Sequence, residues 1–336
     1  MNVRGKGIKI FAGNSLPGLA SSIAKELGIQ TGLCEVGKFA DGECSVSIGE
    51  SVRGMDCFII QSTCAPVNDN LMELLIMADA LHRASASRIT AVIPYYGYAR
   101  QDRKAKSRDP ISAKLVADMI SVSGIDRIMT MDLHAPQIQG FFNMPLDHLV
   151  GSPVLAKYFR DMVNEDRENF VCLSPDVGSV GRVRSFTHNL FDCPISIVDK
   201  RRQRANQCQV MNLIGDVKGK KVLIVDDVVD TAGTLCNAAE AAMQHGASEV
   251  YAAATHAVLS GPACDRIMAS PIKEMVLLDS VPVPPEKMIS KFKILSTADY
   301  IANAITCVHE DLPLSPMIDR MFVEATDDET AKAGQY

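Results

Sequence analysis

Tryptophan is absent from this sequence, and aromatic residues supply only 5% of it. Its cores must therefore be aliphatic, a composition that suits helices layered on a sheet. A strong charge of one sign is also missing, the formal net charge being −6. That argues against general nucleic-acid binding, which needs a broad basic face, though it allows a locally basic pocket. No apolar run approaches the ~20 residues needed to span a bilayer. The opening Met1-Asn-Val-Arg-Gly-Lys-Gly7 has no apolar signal region after its charges. A cytoplasmic protein with no membrane partner is the expectation. The cysteines contain no Cys-x-x-Cys pair, and their spacings suit neither a zinc site nor a compact disulfide framework. Several lie in apolar runs, where a reduced thiol acts as a small buried hydrophobe.

What is present is 336 residues, 47% of them hydrophobic, enough for about two domains of ~150 residues each. The most informative run is Val222-Leu-Ile-Val-Asp-Asp-Val-Val-Asp-Thr-Ala-Gly-Thr234. Four aliphatic residues meet two adjacent carboxylates, Asp226 and Asp227. Asp230 and Thr231-Ala232-Gly233-Thr234 follow, then a helical run that Gly246 closes. This predicts a buried parallel strand, a tight loop and a helix. Ligands of open α/β sheets sit at such strand ends. Thr231, Thr234 and a flexible Gly233 can aim N–H groups and hydroxyls at one anion beside a helix N-terminus. Carboxylates repel that anion but accept hydrogen bonds from vicinal hydroxyls. The loop alone therefore points to a sugar phosphate; an ordinary acidic cap explains any one of these residues but not the ordered run.

Earlier in the chain, Ile8–Ala12 reads as a strand and Pro17–Leu27 as a helix. Phe39-Ala-Asp41-Gly42-Glu43 is a turn before the alternating strand Cys44–Ile48. Residues 57–84 repeat the strand, polar loop and helix order as a weak echo of the 222–245 segment, without its acids. A buried strand then breaks at Pro94 into Pro94-Tyr-Tyr-Gly-Tyr-Ala-Arg100-Gln101-Asp-Arg-Lys104. Basic residues continue to Arg108, past Ser107. Such a run is a solvated loop or, directly after a strand, a polyphosphate contact. Another strand ends in Asp132-Leu-His134, followed by Ala-Pro-Gln-Ile-Gln-Gly-Phe-Phe142. An Asp two residues from a His on an extended chain shares its side and can reach a metal. Gly151-Ser-Pro153 is a plausible domain junction, with Ser152 as helix cap. Ser174-Pro-Asp176-Val-Gly-Ser179 ends a further strand, and Ile195–Arg204 runs into Lys200-Arg-Arg202-Gln-Arg204. Cations this close call for an anion among them.

These motifs together resemble the ribose-phosphate pyrophosphokinase (PRPP synthetase) family, and the Asp226–Thr234 run also resembles the PRPP loop of phosphoribosyltransferases. The resemblance implies an α/β protein of two tandem type I phosphoribosyltransferase-like domains, each a largely parallel sheet flanked by helices. The domains are expected at 1–150 and 151–314, before a polar, disordered tail at 315–336. The implied activity moves the pyrophosphoryl group of ATP to the C1 hydroxyl of ribose 5-phosphate, yielding PRPP and AMP for nucleotide, His and Trp biosynthesis. Carried over residue by residue, Lys200 and Arg202 are catalytic, ahead of a mobile flap at 205–214. Phe39, Asp41, Gly42, Glu43, Arg100 and Gln101 contact ATP. Asp226, Asp227, Asp230, Thr231, Ala232, Gly233 and Thr234 hold ribose 5-phosphate. His134, Asp176 and Asp132 attend Mg2+. Arg53, Ser107 and Arg108 are candidates for a regulatory site taking phosphate or ADP, in a homohexamer. The family carries Gly where this chain has Ser179, so strain is expected if that glycine supplied an unusual backbone angle. A phosphoribosyltransferase that consumes PRPP, and a non-catalytic regulatory relative, are the two alternatives. The motifs of the first half argue against the former, and the intact Lys200, Arg202, His134 and Asp226 against the latter.

Overall fold

The computed structural model describes residues 5–201 and 210–323. The chain begins β1 (Ile8–Ala12), α1 (Pro17–Glu26), β2 (Cys34–Lys38), β3 (Cys44–Ile48), β4 (Asp56–Ile60), α2 (Val67–Arg83), β5 (Arg88–Ile93), α3 (Ser112–Val122), β6 (Arg127–Met131) and β7 (Leu146–Leu149). It continues α4 (Ser152–Glu165), β8 (Phe170–Ser174), α5 (Val180–Thr187), β9 (Ile195–Arg201), β10 (Val210–Ile214), β11 (Lys221–Val229) and α6 (Gly233–Gln244). Last come β12 (Glu249–Ala257), α7 (Ala263–Ala269), β13 (Ile272–Leu278), β14 (Phe292–Leu295), α8 (Ala298–His309) and α9 (Ser315–Val323). Among the described residues, no helix is long and apolar enough to cross a membrane.

Two compact units result. The first holds the chain up to Val150 with Ser280–Pro282 and Ser296–Met317. Its sheet runs β1-β4-β5-β6-β7, all parallel. β4 and β5 are buried at every position, which is why Cys57–Ile60 and Ala91–Ile93 read as continuous apolar runs rather than alternating ones. Phe11, Ile59, Leu74, Ile93 and Ile128 lie in its core. β2 and β3 form a separate antiparallel hairpin.

α8 was expected at the end of the second domain, yet it clusters with the first. It packs against α1 through buried residues such as Ile301, Ile305 and Val308, and a buried charge network joins it to the sheet. Arg88 Nε donates to Asp56 Oδ1 at 3.0 Å, Arg88 Nη2 donates to the Val308 carbonyl at 2.9 Å, and His309 Nδ1 lies 2.9 Å from Asp56 Oδ2. Asp56 and Arg88 open β4 and β5, so the network ties α8 to the N-terminal edge of the first sheet.

The second unit holds Gly151–Asp279, Val283–Leu295 and the described chain from Ile318. Its sheet order is β10-β9-β8-β11-β12-β13-β14. Only the β9–β10 edge pair is antiparallel. Leu173, Val222, Ile224, Leu235, Val250 and Leu277 belong to its core. The order reverses beside β8: β9 lies on one side of it and β11 on the other. The first unit does the same in reduced form, since Thr31 bridges Ile10 alongside β1 before the order proceeds to β4.

Four local expectations change. Val210–Ile214, read as part of a flap, is an edge strand in register with Ile197–Arg201; 205–209 lie outside the described residues. Ser315–Val323 is helical rather than disordered, and the rest of the tail lies outside the described residues. Ser152 makes no side-chain cap; Gly151 holds that position. β11 does not stop at the acids but runs on to Val229.

Candidate functional site

In the second unit, the strand order switches between β8 and β11, where a crevice opens beyond the carboxyl ends of the strands. The register shows where. β11 pairs with β8 only from Lys221 to Ile224, but stays paired with β12 as far as Val229. Asp226 and Asp227 follow the point where β8 leaves β11. They lie on a strand still paired with β12 on one side and past the end of the β8 pairing on the other.

Arg182, in the first turn of α5, reaches both. Its Nη1 donates to Asp227 Oδ1 at 2.9 Å and to Asp226 Oδ1 at 3.3 Å. The Asp227 side chain is 3% exposed and that of Asp226 16%. Burial, and then the neighbouring Asp227 charge, push Asp226 up to about 7. The pair thus carries less than its nominal charge at neutral pH, which lessens its conflict with a nearby phosphate. The Asp176 turn joins the same place: Asp176 Oδ1 accepts the Ser179 N–H at 2.9 Å, and Ser179 Oγ lies 3.4 Å from Asp226 Oδ1. Ser179 has φ −87° and ψ −3°. The position needs no unusual backbone angle, so the serine brings no strain.

Beyond β11, Asp230 and Thr231 lead into α6. The left-handed residue is Ala232, at φ 59°, while Gly233 is already in the first turn of the helix. The conformational burden therefore falls one residue before the glycine expected to bear it. A left-handed alanine costs of order 1 kcal/mol and persists only when its surroundings enforce it. Its effect is to turn the following N–H groups toward one point at the start of α6, a nest for an anion. Thr231 and Thr234 are exposed beside it. Arg266 of α7 donates from Nη1 to the Thr231 carbonyl at 2.9 Å.

Lys200 lies on β9 with its backbone opposite Met211. Arg202 lies outside the described residues.

In the first unit, Phe39, Asp41, Gly42 and Glu43 form the β2–β3 hairpin turn. Phe39 N donates to the Glu43 carbonyl at 2.8 Å, and Gly42 N to the Phe39 carbonyl at 2.9 Å. Gly42 stands at φ 94°, which a side chain resists. Phe39 is 59% exposed, so packing does not explain it. Arg100 and Gln101 are exposed after β5, and Asp132 and His134 follow β6. Ser107 and Arg108 lie on the same loop as Arg100. Arg53 lies on the turn before β4, at the other end of the sheet, so this unit does not gather Arg53 with Ser107 and Arg108.

Arg182, Ser179 and Arg266 were not among the residues singled out for the ligand. Arg182 had a detectable signal: a cation in a helix's first turn opposes the helix dipole, so it needs an acidic partner from elsewhere. Among the described residues, no group of three or more His, Cys, Asp or Glu side chains forms a metal cage. The described cysteines are free, and burial pushes the thiols of Cys64 to about 11 and Cys57 to about 12, leaving them protonated.

Two family models match. The N-terminal domain of ribose phosphate pyrophosphokinase covers residues 8–124, and the phosphoribosyl synthetase-associated domain covers residues 176–318. The ribose-phosphate pyrophosphokinase of Caldanaerobacter subterraneus subsp. tengcongensis is 62% identical over 92% of this chain and 97% of its own length. That of Bacillus subtilis is 53% identical over 92% of this chain and 96% of its own. The crystal structure of phosphoribosylpyrophosphate synthetase from Mycobacterium smegmatis superposes with a TM-score of 0.86 at 41% identity, covering 91% of this chain and all of that one.

Proposed function

The chain belongs to the ribose-phosphate pyrophosphokinase family, and from that premise we propose how its residues divide the work of transferring pyrophosphate from ATP to ribose 5-phosphate. The reaction gives PRPP and AMP. The C1 hydroxyl oxygen bonds to the β-phosphorus, the bond from that phosphorus to the α-bridging oxygen breaks, and AMP leaves with the bridging oxygen. The hydroxyl proton is released. No protein nucleophile is needed; catalysis lies in positioning and in stabilising charge around phosphorus.

Ribose 5-phosphate is held in the second unit. Its 5-phosphate takes the nest made by Thr231, Ala232, Gly233 and Thr234, and its vicinal hydroxyls donate to Asp226 and Asp227. Asp230 shapes the loop between them. The observation that carries this is the opening of β8 from β11 at the acids, with a left-handed turn leading into α6. Phe39 stacks on the adenine of ATP. Asp41, Gly42, Glu43, Arg100 and Gln101 contact the rest of the nucleotide. Lys200 and Arg202 stabilise charge on the transferring group.

The donor chemistry at the acids suits Mg2+. The side chains offered are carboxylates, and a hard ion that prefers oxygen, and that keeps waters and substrate phosphates in its shell, needs no cage of three protein ligands. Asp176 is the candidate in the second unit; His134 and Asp132 are those in the first, holding the ion directly or through water. When bound, the ion neutralises charge on the phosphates. The same reading places the protein in the cytoplasm as a homohexamer, activated by phosphate and inhibited by ADP through Arg53, Ser107 and Arg108. The separation of Arg53 from the other two within one unit fits an effector site shared between subunits. Activity with and without added phosphate tests that regulation.

The deciding assay follows AMP release with ATP, Mg2+ and ribose 5-phosphate. Equal amounts of AMP and PRPP, dependent on both substrates, are expected. PRPP binding without AMP formation would mean a regulatory relative instead.

A further inference from the structure

The loop that we assign to the 5-phosphate lies in acidic company: Asp230 precedes it, after Asp226 and Asp227 on β11. A phosphate dianion seated there meets repulsion that N–H groups and two hydroxyls must outweigh. The structure sets a cation against this loop that no motif singled out. Arg266 lies in α7, which follows β12, the strand beside β11. Its Nη1 is 2.9 Å from the Thr231 carbonyl oxygen and 3.6 Å from the point that a Cβ on Gly233 would occupy. The guanidinium therefore lies across the loop, against the start of α6. Its charge reaches into that first turn, where it is one of the groups that pull the Cys236 thiol down against the larger upward push of burial. Among the described residues, the Thr231 carbonyl is the only hydrogen-bond partner of the Arg266 side chain. A guanidinium has five donors in a planar fork, and the side chain is exposed at the loop. An arginine that served only to brace one carbonyl has no need of a charge in this position.

We propose that Arg266 is a specificity-determining residue, whose guanidinium contacts the 5-phosphate of the sugar and makes the site select phosphorylated over unphosphorylated ribose. The proposal rests on the assignment of Thr231–Thr234 to that phosphate. It supplies what the loop lacks, a full positive charge beside Thr231 and Gly233.

Three full-length variants test it by steady-state kinetics. Arg266→Gln keeps an amide donor for the Thr231 carbonyl but loses the charge. Arg266→Lys keeps the charge. Thr234→Ala removes a hydroxyl from the loop itself. A charge-assisted hydrogen bond to phosphate is worth roughly ten- to hundredfold in binding. The expected result is that Arg266→Gln raises KM for ribose 5-phosphate at least about tenfold, leaves KM for ATP near its original value, and weakens the salt dependence of the ribose 5-phosphate KM. Arg266→Lys recovers most of the loss. If Arg266→Gln matches the wild type while Thr234→Ala raises KM, the loop assignment stands and the role of Arg266 is overturned. If neither variant raises KM, both fall. If Lys is as impaired as Gln, or if both substrates' KM values rise together, Arg266 merely braces the loop and the proposal fails.

Discussion

Nη1 of Arg182 lies 2.9 Å from Oδ1 of Asp227, a carboxylate all but removed from water. The adjoining Asp226 is 3.3 Å from the same nitrogen, so one cation answers two acids. Removing one member of a buried pair leaves the other's charge uncompensated, which costs up to ~3–5 kcal/mol where burial is complete. Arg182 is 23% exposed, so Arg182→Met is expected to lose about 1–3 kcal/mol. Urea denaturation of the ligand-free protein measures it. The same variant should bind ribose 5-phosphate more weakly, because Asp226 and Asp227 lose the donor that holds their carboxylates in place for the sugar hydroxyls. A stability change below about 0.5 kcal/mol, the level typical of exposed pairs, would show that this one is a surface pair in effect.

The acid pair also predicts a pH dependence of definite sign. Asp226 is pushed up from 3.8 to about 7, chiefly by burial. The folded state therefore holds this proton more tightly than the unfolded state does. The stability associated with Asp226 is full below the unfolded pKa, declines as pH rises from there through about 7, and is lost above it. Asp226→Asn cannot ionise and escapes the decline. Denaturation midpoints taken from about pH 4 to about pH 8 should show the variant gaining on the wild type throughout that range. A constant difference across it would mean that Asp226 ionises normally.

Ser179 gives a sharper comparison, since glycine stands there in the family's pattern. The serine sits in ordinary right-handed backbone and its hydroxyl is 3.4 Å from Asp226 Oδ1. Glycine would relieve no strain and would lose more entropy on folding. Ser179 lies at the N-cap of α5, so Ser179→Gly should cost only roughly a few tenths of a kcal/mol, with turnover changed by no more than about twofold, as the long hydroxyl contact is weak. A gain in thermal stability would show that the turn is strained after all.

Much of this was readable along the chain, for physical reasons that also explain the misses. β1 and β3 have the limits their patterns predict, because apolar runs, alternation and turn residues mark them locally. β11 was read as ending at Asp226, since a carboxylate normally closes a buried strand. Pairing with β12 carries the strand past the acids to Val229, and no local pattern records that pairing. α8 was assigned to the nearer domain; its packing on α1 and its part in the Asp56–Arg88–His309 network join residues far apart in sequence. The acids of the site were legible because they fall in one ordered run. Arg182 and Arg266 were not, because each sits on a helix that reaches the loop only once the strands are in order.

Lys200 is the residue on which the proposed transfer depends most directly. Its backbone belongs to β9 and is paired in register with Met211 of β10, so the strand supports the position whatever side chain it carries. Lys200→Ala should therefore keep the fold, with an unfolding transition close to the wild type. Turnover is another matter. A pyrophosphoryl group passing between two oxygens gathers negative charge at its equatorial oxygens and at the leaving oxygen of AMP, and no nucleophile on the protein shares the load. Loss of one preorganised donor from such a site typically costs 10²–10³ in kcat, or about 2.7–4 kcal/mol of barrier. That loss should appear in kcat, with KM for ribose 5-phosphate altered little, because the side chain acts on charge that develops only during transfer. Single-turnover AMP release separates this from slow product release. A burst of normal rate in Lys200→Ala would take the residue out of the chemical step and leave stabilisation of the transferring group to Arg202.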